Sequence, residues 1–164
     1  MIVPDINLLV YAHNEAAPLH GRARAWWEDL MSREMPIGLP WAVVFGFVRL
    51  VTHPAVLESP VPATEALERA ESWLQQPNVE TLEPGPRHLR IVHELFEATG
   101  LAAGLTTDTH IAAIAIEHQA EIHSNDADFG RFPGLRWSNP LAATGRCGRP
   151  RVSSPTRLSA PTRA

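Results

Sequence analysis

The chain has 164 residues, 45% of them hydrophobic, which suits one domain with a real core and leaves too few residues for two. Its longest apolar stretches, residues 39–51 and 111–116, are too short or too interrupted to span a bilayer, so no membrane partner is expected. The first residues lack the basic segment and apolar core of a secretory signal, and a cytoplasmic location is the expectation. A single cysteine, Cys147, excludes an internal disulfide and a thiolate metal site. The net charge of −4 is unevenly spread. Residues 1–144 hold nine basic against eighteen acidic groups, a formal −9, whereas the last twenty residues carry five arginines and no acid. Such a body repels a phosphate backbone unless metal or a partner intervenes. All fourteen basic residues are arginine. Arginine suits bidentate phosphate contact, although a GC-rich genome gives the same bias and is the simpler cause.

Taken in order, the segments alternate between strand and helix. A strand is predicted over Ile2 to Asp5, a helix after Asn7, and another from about His20 to Met31 with Ala23, Trp26, Trp27 and Leu30 on one face. Pro36 and Pro40 interrupt the chain, and Pro40 fits the first turn of a helix running to about Thr52, which His53-Pro54 stops. Pro62 to Gln75 reads as amphipathic, with Ala66, Leu67, Ala70, Trp73 and Leu74 inward. Val79 to Leu82 is a short strand, and Pro86 to Thr99 a helix through Leu89, Val92, Leu95 and Phe96, with Gly100 as its C-terminal cap. Thr106 or Thr107 caps a helix to His118 that carries Asp108 in its first turn. A strand over Glu121 to Ser124, a loop from Asp126 to Pro133 and an edge strand near Leu135 to Trp137 complete the pattern. Strands separated by helices imply an α/β fold, a parallel sheet flanked by helices. From about Ala142 the composition turns to Arg, Pro, Ser, Thr and Gly, which reads as a disordered tail over 142–164 beside a compact domain of residues 1–141.

Four aspartates carry the chemistry. Asp5 closes the first apolar run, Asp108 opens the apolar stretch 111–116, and Asp126 and Asp128 follow the strand at 121–124. In a parallel α/β fold, ligand sites lie outside the carboxyl ends of the strands, so such residues converge on one crevice. Converging carboxylates repel one another unless a cation neutralises them, and hard oxygen ligands select Mg²⁺ or Mn²⁺. Asp5 is the candidate central ligand, Asn7 its hydrogen-bond partner, and Ser124 a support for Asp126 and Asp128. Each residue also has a structural alternative: Asp108 as a helix-dipole partner and Asp126-Ala127-Asp128 as turn chemistry. The five tryptophans fall mainly at helical core spacing, with base stacking by Trp41 or Trp137 as the alternative. The eight histidines show no metal-ligand pairing of the HExxH kind and read mostly as surface groups.

The segments Pro4-Asp5-Ile6-Asn7-Leu8-Leu9, Leu39-Pro40-Trp41, 46–52 (Gly46 to Thr52), Thr107-Asp108, 111–118 and Ser124-Asn125-Asp126-Ala127-Asp128-Phe129, closing with Trp137-Ser138-Asn139-Pro140, occur in this order across residues 2–141. The chain thereby resembles the PIN-domain ribonuclease toxins of VapBC toxin–antitoxin systems, in particular the branch abundant in mycobacteria and related actinobacteria. The resemblance implies a PIN-like three-layer fold and Mg²⁺- or Mn²⁺-dependent hydrolysis of RNA. Asp5, Asp108 and Asp126 are then the catalytic, metal-holding carboxylates, and Asp128 assists. It also implies a homodimer and a VapB-type antitoxin whose tail fills the acidic groove. One position departs from the common pattern: Gly46 stands where most members carry a glutamate, three residues before Arg49. That weakens the case for a second metal and leaves Arg49 either for RNA phosphate, for a site carboxylate or for a surface salt bridge. The alternative is a degenerate PIN domain that binds RNA or antitoxin without cutting. A phosphatase using Asp5 as nucleophile would want an acid at position 7 and a lysine downstream, and the chain has Asn7 and no lysine.

Overall fold

The computed structural model describes residues 1–100 and 105–142. It contains five strands, β1 (Ile2–Pro4), β2 (Ile37–Pro40), β3 (Val79–Leu82), β4 (Glu121–His123) and β5 (Arg136–Ser138). Six helices accompany them: α1 (Ile6–His13), α2 (His20–Ser32), α3 (Trp41–Val51), α4 (Ala63–Leu74), α5 (His88–Thr99) and α6 (Thr106–Glu117), with a 3-10 turn over Ala127–Arg131. The strands form one sheet in the order β3-β2-β1-β4-β5, every pairing parallel. All residues of β1 are buried, as expected of a parallel strand covered on both faces. The expected α/β architecture with helices flanking a parallel sheet is the one observed. The expected tail lies outside the described residues, apart from Ala142.

The sheet order explains where a site must be. From β1 the chain builds outward through β2 to β3, then returns to the other side of β1 for β4 and β5. The strand order therefore reverses between β1 and β4, and a crevice opens outside their carboxyl ends. Asp5 N donates to the His123 carbonyl at 2.9 Å, which ties the two ends together. On the other side Ile2 N donates to the Pro36 carbonyl. The next β1 amide in phase with it would belong to Pro4, which has none, so the β1–β2 ladder stops just before Asp5.

Four details depart from the sequence pattern. β2 was not expected, because Ile37-Gly38-Leu39 is short, contains glycine and lies between prolines. It forms because β1 and β3 supply partners on both sides and all four residues are buried. Leu67 is exposed: α4 buries Ala66, Ala70 and Trp73, and residue 67 falls outside that narrow stripe. Leu89 is 80% exposed, because α5 buries His88, Ile91 and Leu95 instead. The observed face is rotated by about one residue from the stripe Leu89, Val92 and Phe96 that the apolar spacing suggests. Finally, the N-cap of α6 is Leu105, whose own side chain makes no capping bond. The Gly100 cap does form, at φ 64, where glycine avoids the steric cost of the left-handed region.

Candidate active site

Asp5 ends β1 and caps α1. Its Oδ1 accepts from Ile6 N at 2.7 Å, and its Oδ2 accepts from Ser124 Oγ at 2.6 Å. Ser124 follows β4 directly and is fully buried. Its hydroxyl is a junction, for Oγ also accepts from Asn7 Nδ2 at 3.2 Å and from Asp126 N at 2.9 Å. Asn7 Oδ1 in turn accepts from Asn125 N at 3.4 Å. The expected link between Asn7 and Asp5 thus runs through Ser124. Asn125 and Asn139, which the sequence did not single out, brace the same loop: Asn139 Nδ2 donates to Asn125 Oδ1 at 3.0 Å.

The electrostatics distinguish the four aspartates. Burial lifts the Asp5 carboxyl from 3.8 to about 6, the Asp108 and Asp126 charges push the same way, and the Ser124 and Ile6 hydrogen bonds pull it back. Asp108, half-buried in the first turn of α6, is also raised, by burial first and then by the charges of Asp126 and Asp128. Its side chain makes no hydrogen bond or ion pair among the described residues. Asp126 spends Oδ1 on Asp128 N at 2.8 Å, which is the turn chemistry its sequence suggested. Asp128 is half-buried and lies 3.3 Å from Arg131 Nη1, so part of its charge is already answered. Asp5, Asp108 and Asp126 are therefore brought within one another's fields, and the Asp128 charge acts on Asp108 as well.

A cluster of oxygen donors carrying like charge fits a hard divalent cation. Among the described residues no three carboxylate, imidazole or thiolate groups already converge on a single point, so the aspartates would have to draw together around an ion. Gly46, buried on α3, faces Ile6: a Cβ there would lie 2.4 Å from Ile6 Cδ1. The isoleucine occupies the space a larger residue at 46 would need. Arg49 is exposed and forms no ion pair among the described residues. Trp41, read as a core residue, is 40% exposed.

A family model for the PIN domain matches residues 2–135. This chain belongs to the PIN-domain family. Within that family it is 49% identical over 141 residues to Ribonuclease VapC33 of Mycobacterium tuberculosis, covering 86% of this chain and 99% of that protein. It is 36% identical over 142 residues to Ribonuclease VapC37 of the same organism, covering 87% and 99%. Among solved structures, VapBC2 from Rickettsia felis bound to a promoter DNA fragment superposes with a TM-score of 0.62 at 23% identity, covering 85% of this chain and 98% of the other. The sarcin-ricin loop cleaving toxin VapC20 of Mycobacterium tuberculosis gives 0.60 at 16% identity, covering 83% and 99%. These last two likenesses concern the PIN fold. No described helix of this PIN domain is long and apolar enough to cross a membrane.

Proposed function

We propose that this chain is an endoribonuclease, the toxin of a VapBC-type toxin–antitoxin pair, and that it hydrolyses RNA phosphodiester bonds with Mg²⁺ or Mn²⁺. The observation that carries the reading is Asp5. Its carboxyl is raised by burial at the switch point of the sheet and then by two further aspartates, in a PIN chain 49% identical to a ribonuclease across nearly all of that relative. A divalent ion held by Asp5, Asp108 and Asp126, with Asp128 assisting, would supply a more acidic water and offset the charge of the phosphodiester. The chain's own residues prepare that role. Ser124 holds one Asp5 oxygen and the Asp126 amide together, so the two acids share one anchor. Asn7 holds Ser124 from the other side. Networks of this kind, behind metal ligands, fix orientation and strengthen binding.

The reading extends to partners. The formal −9 of residues 1–144 suits a basic antitoxin segment in the crevice, and a toxin acting on RNA works in the cytoplasm, as a homodimer if it follows its family. The nuclease domain is assigned to residues 1–141. A second reading, a PIN domain that binds without cutting, is favoured by Gly46 alone, where Ile6 fills the position that usually carries a glutamate. Incubating the full chain with total bacterial RNA and mapping new 5′ ends separates the two. New ends with Mg²⁺ or Mn²⁺, abolished by EDTA and by Asp5→Asn, are expected. Cleavage surviving both treatments defeats the metal assignment, and no cleavage by wild type with either metal favours the degenerate domain.

A further inference from the structure

We propose that Asn139 is a positioning residue for the metal-holding loop, acting through Asn125 on Asp126; this rests on the metal-dependent ribonuclease reading above. Asp5 and Asp126 are kept in place by different means. Asp5 is buried and packed, whereas Asp126 is exposed and depends on the hydrogen bonds of its loop. Three of those bonds come from the backbone: Ser124 N donates to the Ser138 carbonyl at 3.0 Å, Asn125 N to Asn7 Oδ1 at 3.4 Å and Asp126 N to Ser124 Oγ at 2.9 Å. A fourth grips a side chain, for Asn139 Nδ2 donates to Asn125 Oδ1 at 3.0 Å. The Asn7 bond is long, which leaves Asn125 dependent on its side-chain partner. Asn125 stands between Ser124, which holds Asp5, and Asp126 itself, so a shift of residue 125 changes the separation of two carboxylates.

Asn139 is itself fixed in the orientation this needs. It follows β5, whose last residue, Ser138, is level with His123 at the end of β4, and so lies at the crevice end of the sheet. Its Oδ1 accepts from Leu141 N at 2.8 Å and its carbonyl from Ala142 N at 3.2 Å, which closes a tight turn. Reversing the side-chain amide would set its NH2 against the Leu141 N–H, donor against donor. The NH2 group therefore faces Asn125. The turn is anchored in its own right, because Leu141 is buried in the core and its carbonyl accepts from Arg22 Nη2 of α2. The contacts thus run from α2 through residues 139–141 to Asn125 and on to the carboxylates. Asn139 lies past residue 135, where the match to the PIN family model ends, so the family match gives it no role.

The test is the Mn²⁺ affinity of the full chain by calorimetry, with circular dichroism to count folded molecules and mapping of new RNA ends at low and saturating Mn²⁺. Asn139→Asp keeps the size of the residue and the acceptor for Leu141 N, but loses the donor and sets a carboxylate against Asn125 Oδ1. Asn125→Ala removes the grip from the other end and leaves the turn intact. Each should weaken Mn²⁺ binding about tenfold, and the double variant by no more than either alone, because both break one contact. The direction is diagnostic for Asn139→Asp, since an added negative charge would by itself strengthen cation binding. Cleavage by both variants should return toward the wild-type level at saturating Mn²⁺, because every ligand survives. Should one single variant not fold, the other decides alone. If wild type binds Mn²⁺ and cuts RNA, and the folded variants bind Mn²⁺ as tightly or more tightly, the positioning role is refuted while the ribonuclease reading stands. Losses that multiply in the double variant also refute it, because the two asparagines then act separately. If wild type binds neither Mn²⁺ nor Mg²⁺, this proposal falls together with the metal-dependent reading.

Discussion

Helix α6 presents polar groups to two unlike surroundings. Asp108 turns toward Asp5 and Asp126, where like charges meet and both Asp108 and Asp5 have their carboxyls raised. His110 and Glu117, on the seam with α5, meet complementary groups instead. Glu117 accepts from Gly85 N at 2.9 Å and Arg87 N at 3.1 Å, and His88 Nε2 shares a proton with His110 Nδ1 at 2.8 Å. Burial, helped by His88, also keeps His110 below its usual range. The seam is nearly closed: among the buried side-chain nitrogens and oxygens of the described residues only His88 Nδ1 lacks a hydrogen-bond partner, 3.4 Å from Glu117 Oε2. A polar cluster whose donors and acceptors match holds helices together, whereas one of a single charge costs stability until something opposite in sign arrives. We read the first kind as structure and the second as a candidate site.

The largest effect expected is on the crevice. Asp5→Asn should abolish cleavage while leaving the fold intact. Its stability should also lose a pH dependence. The folded Asp5 holds its proton to about pH 6 against 3.8 for an ordinary carboxyl, so its ionisation burdens the folded state progressively between those values and fully above them. Urea unfolding from pH 4 to 7 should therefore show wild type losing stability relative to Asp5→Asn as pH rises. Parallel curves would remove Asp5 from the electrostatic account.

A smaller loss belongs to Ser124→Ala, which frees Asp5 Oδ2 and the Asp126 amide at once. Affinity for Mn²⁺ should fall about tenfold to a hundredfold, read by calorimetry, because the ligands survive but their anchor does not. On the seam the expected pattern is reversed. Glu117→Ala should cost about 2 kcal/mol of stability by leaving two amides without an acceptor, while cleavage per folded molecule stays as it was. Lost activity in a folded Glu117→Ala protein would break the division between the two clusters. The mildest case is Gly46→Ala. The Cβ would crowd Ile6, and the net change should be a loss of about 1 kcal/mol despite better helix propensity. A gain in stability would mean that Ile6 moves aside and that the position is open to a larger residue.

The same contrast explains what the sequence revealed. Asp5, Asp108 and Asp126 could be picked out because each sits where an apolar run meets a turn, and strand–helix alternation sends such positions to one crevice. Ser124 was visible for the same reason. Its role as the junction for Asn7, Asp5 and Asp126 was not, because a hydrogen bond across 119 residues leaves no local trace. The α5–α6 seam was missed because a buried histidine leaves no mark in an apolar periodicity, and the stripe Leu89, Val92 and Phe96 lies one residue from the face that α5 buries. Trp41 was misplaced for a different reason. Nearly every residue of α3 is apolar, so the sequence gives no sign of which face meets water. β2 exists only because its neighbours do.

The central claim is that Asp5, Asp108 and Asp126 form a divalent-cation site. Thermal unfolding with increasing Mn²⁺ tests it most directly, comparing wild type with Asp108→Asn. Asp108 makes no hydrogen bond or ion pair among the described residues, so the substitution changes charge and little else. Wild-type Tm should climb with Mn²⁺ as expected for a ligand that binds only the folded state, and Asp108→Asn, starting at an equal or higher Tm, should barely respond. Equal responses from the two proteins, or none from wild type at millimolar Mn²⁺, would contradict the account.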